Sequence, residues 1–175
     1  MSARQGLGDF TTSGGAPSCS GARTPTPPTN DEYYKPNAPE RSSVRGSAAR
    51  GAPLRVSGFV IGLRCGVIKD ARLEFWQADA HGVYDMAGFT LRGSVHTSDK
   101  GAYTFDTIMP GPAAYHVRCL HVRVTPPGHQ PLLTSLYFPD DPARTADPLY
   151  NPALVVKPVA STSGQTVAFD VVFDL

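Results

Sequence analysis

Cysteine, methionine and tryptophan are scarce in this chain, with three, three and one in 175 residues. Cys19, Cys65 and Cys119 form no even framework, so free thiols are expected rather than a disulfide set. Charge is also sparse: charged residues make up 18% and the net is +1. The basic residues are scattered rather than clustered, which argues against a nucleic-acid partner. No apolar run approaches the ~20 residues of a membrane span. The first residues, Met1-Ser-Ala-Arg-Gln-Gly-Leu-Gly-Asp9, lack the apolar core of a signal peptide, so a cytoplasmic location is expected. No pattern of a long helix is present, and no internal repeat.

Turn formers are abundant. Glycine and proline number 17 each, which favours a β protein over a helical bundle. At 41% hydrophobic residues the chain can build a core at this length. Residues 1–30, rich in Gly, Ser, Thr and Pro, read as a flexible arm, and 31–175 as one domain. Tyr33-Tyr-Lys-Pro-Asn-Ala-Pro-Glu-Arg41 reads as an extended segment laid over that domain.

Short alternating runs follow. Leu54–Ile61, Ala71–Gln77, Val117–Val124 and Leu132–Phe138 read as strands. Arg92–Thr97 and Ala102–Ile108, joined by Ser98-Asp-Lys-Gly101, read as a hairpin. Thr166–Asp174 reads as a central strand. The alternation places Leu73 and Phe75 opposite Arg72, Glu74 and Trp76. It also places Leu120, Val122 and Val124 opposite Cys119, His121 and Arg123. Spaced short strands of this kind predict an all-β antiparallel β-sandwich with an irregular N-terminal arm.

Two stretches concentrate chemistry. Leu73-Glu-Phe-Trp-Gln-Ala-Asp-Ala-His-Gly-Val-Tyr84 runs from a strand into a turn that presents Tyr84. Tyr115-His-Val-Arg-Cys-Leu-His121 packs a phenol, two imidazoles, a thiol and a guanidinium into seven residues. Facing each other, they would form a metal or acid–base pocket. Each residue also has a plainer role: Trp76 as packing, Cys119 as a small buried filler, His121 as a satisfied strand histidine. His81, His96 and His129 read as surface residues, and Tyr103 and Phe105 as core.

Four motifs are similar to those of the intradiol ring-cleavage dioxygenases. They are Glu32-Tyr-Tyr-Lys-Pro-Asn-Ala-Pro-Glu-Arg41, Glu74 to Tyr84, Leu91 to Gly111, and Leu133-Thr-Ser-Leu-Tyr-Phe-Pro-Asp-Asp-Pro142. The resemblance implies the β-sandwich of that family and a pocket for aromatic compounds. It also implies a ferric site of two tyrosines and two histidines. The first tyrosine falls on Tyr84. The second falls on Ala113, and the histidine pair on Cys119 and His121. The family's arginine becomes His116, and the glutamine of its Thr-Gln-Leu-Tyr block becomes Ser135.

These departures leave three readings. The first is a repurposed enzyme without a cofactor. In it Tyr84, His121, His116 and Tyr115 do acid–base chemistry on a phenolic, quinone or polyketide-like molecule, and Tyr33, Tyr34, Trp76, Arg118 and Ser135 contact it. The second is a dioxygenase with a variant iron or zinc site on Tyr84, Cys119 and His121. The third is a non-catalytic subunit or binding module. A homodimer is the expected assembly, with no membrane partner.

Overall fold

The computed structural model describes residues 16–17, 21–27, 32–46, 50–113, 116–139 and 141–175. Among the described residues, nine strands form two sheets. They are β1 (Pro53–Gly62), β2 (Arg72–Gln77), β3 (Arg92–His96), β4 (Ala102–Ile108), β5 (Cys119–Thr125), β6 (Leu132–Tyr137), β7 (Val159–Ser161), β8 (Gly164–Ala168) and β9 (Val171–Phe173). One sheet has the order β4-β1-β8-β7, with β9 also beside β1; the other has the order β3-β2-β5-β6. Most pairings are antiparallel, but β1 runs parallel to β8 and β9. The only helices among the described residues are single 3-10 turns at Pro142–Thr145 and Pro152–Leu154. None is long and apolar enough to cross a membrane.

The core lies between the sheets. Alternation delivers Leu54, Val56 and Val60 from β1, and Tyr103 and Phe105 from β4. Facing them are Leu73 and Phe75 from β2, with Leu120, Val122 and Val124 from β5. Phe75 and Phe105 stack across the gap at 3.8 Å. Tyr103 and Phe105 are therefore core as expected, and His81, His96 and His129 lie at the surface.

Three expectations need correction. Arg92–His96 and Ala102–Ile108 are not a paired hairpin: β3 pairs with β2, whereas β4 pairs with β1 in the other sheet. The turn at Ser98–Gly101 reverses the chain and carries it across the sandwich. Turn chemistry specifies a reversal, not the sheet that each arm joins.

The last strand is split. β8 follows the first half of β1 and β9 the second, with Phe169 and Asp170 between them. Phe169 donates its N–H to Ser57 O, and Asp170 accepts the Phe59 N–H. Gly58 permits this approach, since a Cβ there would lie 1.9 Å from Phe169 O.

The thiols differ too. Cys65 is disulfide-bonded, while Cys119 is a free buried cysteine. An odd count excludes a fully paired set but not one bridge.

The outer face of the β3-β2-β5-β6 sheet is covered by the segment that begins at Glu32. Trp76 Nε1 donates to Glu32 O at 3.0 Å, and Tyr34 OH donates to Glu74 at 3.1 Å. Ser94 N donates to Pro39 O, and Arg41 N to Ser94 O. The flexible arm expected over residues 1–30 falls largely outside the described residues. Within it, Thr24 exchanges two hydrogen bonds with the Val172 backbone, and Pro25 O accepts from Thr134.

The bridge at Cys65 gives a direct test. Under denaturing, non-reducing conditions, iodoacetamide labels Cys119 and leaves Cys65 unlabelled until reductant is added, as read by peptide mass mapping. Labelling of Cys65 without reductant would show that no bridge forms.

Candidate active site

Strand register assembles the floor of the site. Trp76 on β2 faces Arg92 on β3 and His121 on β5, and His121 faces Ser135 on β6. Two residues along β5, Cys119 faces Tyr137. Leu120 and Val122 point into the core, so this row points to the opposite, outer face.

Tyr84 arrives from the β2–β3 connection. Asp79 shapes that loop by accepting the N–H groups of His81 and Val83 at 2.8 and 3.0 Å. Gly82 turns the chain at φ +82, where a Cβ would meet Pro112 O at 2.2 Å. Beyond Tyr84, the buried Arg92 donates to Asp85 O at 2.9 Å. The loop so held places the Tyr84 hydroxyl 2.8 Å from His121 Nε2.

Burial decides the charge state of this cluster. Burial first, then the charges of His116 and Arg92, push the His121 imidazole down to about 3. Burial first, then Cys119, raise the Tyr84 phenol far above its ordinary value. A protonated phenol beside a neutral imidazole sets the direction of the chain. Tyr84 O–H donates to Nε2, and His121 Nδ1–H donates to Ser135 Oγ at 3.3 Å. Cys119 Sγ lies 3.6 Å from the same Nε2. Burial first, then Asp147, push this thiol up to about 12, so it stays protonated.

Aromatic rings enclose the cluster. Trp76 stacks on His121 at 5.2 Å, and Tyr33 stacks on Tyr84 at 4.1 Å and 7°. At the mouth, His116 sits between two carboxylates. Its Nε2 is 3.6 Å from Glu32, and its Nδ1 is 3.5 Å from Asp147. Asp147 also accepts the N–H groups of Val117 and Leu149 at 2.9 and 2.8 Å.

These groups leave a cavity of about 20 Å³, lined by Tyr33, Tyr84, His116, Cys119 and His121 together with Glu32, Tyr137, Asp147 and Leu149. A second hollow of about 210 Å³ lies behind the Tyr84 loop. Its carboxylates, Asp79 and Asp85, are engaged by backbone amides of that loop.

The structure thus brings together Tyr33, Tyr84, His116, Cys119 and His121. Trp76 and Ser135 touch His121 without lining the cavity. Tyr34 is turned to Glu74 and Trp76. Arg118 is turned to Asp141, 3.6 Å away, and does not reach the cavity. Tyr115 lies outside the described residues. Glu32, Tyr137, Asp147 and Leu149 were not singled out from the sequence. Glu32 and Tyr137 did lie inside recognisable motifs, and Asp147 opens a proline-bounded loop. Among the described residues, no group of three or more His, Cys, Asp and Glu side chains is placed to hold a metal ion.

A sequence profile described as dioxygenase matches residues 32–175. The chain belongs to the intradiol ring-cleavage dioxygenase family. It is 27% identical over 146 residues to a catechol 1,2-dioxygenase of Candida albicans, covering 67% of this chain and 48% of that protein. It is 27% identical over 125 residues to a hydroxyquinol 1,2-dioxygenase of Rhizobium sp., covering 58% of this chain and 42% of that protein. The chain thus spans about half the length of the curated relatives it matches.

Among solved structures, it is similar to the dioxygenase domain of a dioxygenase and carbohydrate-binding protein fusion from the cellulolytic Streptomyces sp. SirexAA-E. The identity there is 40% and the TM-score 0.83, over 88% of this chain and 99% of that one. A 3-chlorocatechol 1,2-dioxygenase of Rhodococcus opacus shares the fold, with 22% identity and a TM-score of 0.77, over 85% of this chain and 71% of that one.

The neutral His121 of this dioxygenase relative has a measurable signature. Its folded-state value lies below the ~6.5 of a free imidazole, so the unfolded chain binds the extra proton. Stability is therefore full above about pH 6.5 and falls as pH drops toward the folded-state value, by up to about 1.4 kcal/mol per pH unit. Urea midpoints measured from pH 7 to 5 should fall for the natural chain and fall less for His121→Gln. Equal slopes would show that His121 is not buried neutral.

Proposed function

We propose that this chain is a repurposed member of the intradiol family that moves protons on a phenolic, quinone or polyketide-like small molecule. Tyr84 is its acid and His121 its base. The observation that carries this reading is the 2.8 Å hydrogen bond from Tyr84 to His121 Nε2, in a row fixed by Trp76 and Ser135.

The iron that the family resemblance implies does not fit these residues. Of its four positions, one is Ala113, whose methyl can donate nothing to a metal. Another is Cys119, held as a buried thiol. The two retained groups, Tyr84 and His121, are hydrogen-bonded to each other.

In the proposed reaction Tyr84 turns its O–H to a substrate carbonyl or ring oxygen. His121 Nε2, freed of that bond, accepts a proton from the adjacent carbon. The developing enolate beside His121 offsets the burial that otherwise keeps the imidazole neutral. Tyr84 holds the oxygen where the charge collects, and Ser135 holds the ring through Nδ1. Return of the proton to another carbon completes an isomerisation. Loss of a leaving group from the enolate completes an elimination.

An aromatic ring needs more room than the present cavity, whose volume suits about one water. Tyr33 supplies the route in. It lies flat on Tyr84, is 43% exposed and has a left-handed backbone at φ +58. A substrate ring that takes its place inherits the same stacking face. The disulfide at Cys65 supports an oxidising compartment, against the cytoplasmic location expected from composition.

The test is exchange of the α-protons of 2-tetralone for solvent deuterium, followed by NMR. The natural chain should speed exchange over buffer. His121→Ala and Tyr84→Phe should each lose on the order of 10²-fold or more while the circular dichroism is unchanged. One bound iron per chain, with tyrosinate-to-iron absorption and oxygen uptake on catechol, would overturn the reading in favour of ring cleavage.

A further inference from the structure

We infer that the pocket selects phenols or quinones carrying a cationic amine and rejects their carboxylate counterparts. This rests on the reading of the site as an aromatic-binding pocket and names its substrate class.

The argument is electrostatic and local. Among the described residues, the cavity lining includes two carboxylates, Glu32 and Asp147, and no lysine or arginine. The two nearby guanidiniums are engaged elsewhere. Arg92 is buried beneath the loop, donating to Asp85 O and Tyr33 O. Arg118 faces Asp141.

The position at the mouth holds His116, whose two ring nitrogens each face a carboxylate. One imidazole therefore stands against two negative charges. At the floor the field is mixed: Asp147, Glu32 and Asp141 act to keep the Cys119 thiol protonated, while His116 and Arg92 act to keep His121 neutral, so the negative charge is felt at the mouth, beside Glu32 and Asp147.

The rest of the lining suits the same ligand. Tyr33, Tyr84 and Tyr137 also line the cavity, with Tyr33 at its mouth. Ring faces attract a cation and do nothing for an anion. A carboxylate entering here would meet Glu32 and Asp147, with His116 already set between those two and no lysine or arginine among the described lining residues. Both contributions are strengthened where water is excluded.

Three phenols with the same two-carbon tether separate charge from ring: tyramine, neutral 4-ethylphenol and 3-(4-hydroxyphenyl)propionate. Isothermal titration calorimetry at low salt should show tyramine binding at least tenfold tighter than 4-ethylphenol, and the propionate weaker than either. Raising salt to 0.5 M should narrow the spread, since screening weakens exposed charges such as Glu32. Glu32→Gln, at a half-exposed side chain, should cut the tyramine to 4-ethylphenol ratio at least threefold.

Equal binding of all three phenols, or tightest binding of the propionate, would overturn the inference and leave the aromatic pocket standing. Binding of none would overturn the aromatic pocket and the inference with it. A ratio unchanged in Glu32→Gln and at high salt would also overturn the charge argument.

Discussion

One face of one sheet has to be covered, and the rest of the molecule follows from how that is done. The outer face of β3-β2-β5-β6 carries Glu74, Arg92, Ser94, Trp76 and His121, all buried. Polar groups removed from water must find partners, because an unmade bond there costs on the order of 1–3 kcal/mol. The segment from Glu32 onward provides them. Its carbonyls at Glu32, Tyr33 and Ala38 accept from Trp76, Arg92 and Ser94, and Tyr34 donates to Glu74. Arg123 completes the arrangement at 2.6 Å from Glu74. The same bonds that satisfy the sheet deliver Glu32 and Tyr33 to the cavity. Cover and candidate site are therefore one construction.

Burial then determines the chemistry. A phenol, an imidazole and a thiol close together could hold a cation or exchange protons. In this fold all three lie under rings and strands, and desolvation favours the neutral form of each. Neutral groups have protons to share among themselves, so Tyr84 and His121 bond to each other. The Ala113 position adds nothing to pull them apart. In the proposed reaction this geometry poises the site for proton transfer, and turnover depends on a substrate that breaks the Tyr84–His121 bond in exchange for a better one.

Much of this was legible in the chain because two-residue alternation and turn residues act locally. The faces of β2 and β5 and the core role of Phe105 follow from that period, whereas the pairing of the Tyr84 stretch with the His121 strand was what the family resemblance implied. What was not legible depended on contacts distant in sequence. The Ser98–Gly101 turn gave no sign that its arms join different sheets. The break at Phe169 and Asp170 depends on Gly58, more than a hundred residues earlier. Arg118 could be assigned a face by alternation, but not its partner Asp141. Glu32 and Asp147 reach His116 from distant positions on either side of it in sequence, so no spacing announced them.

Chemistry and selection occupy different levels of the same pocket. The floor is the neutral Tyr84–His121–Ser135 chain, in which strand register fixes His121 and Ser135 and the β2–β3 loop brings in Tyr84. The rim is Tyr33, Glu32 and His116, built on the covering segment and the chain leading into β5. Tyr33 connects the two levels, because its ring rests on Tyr84 while its carbonyl is held by Arg92. A ring that displaces Tyr33 must match the face of Tyr84 below, and its substituent must then pass the carboxylates beside it. In the proposed reading a change at Glu32 on the rim alters which molecule enters, while His116 and Tyr33 also bear on the proton path through their contacts with His121 and Tyr84. Changes at the floor alter the reaction without changing the charge that is admitted.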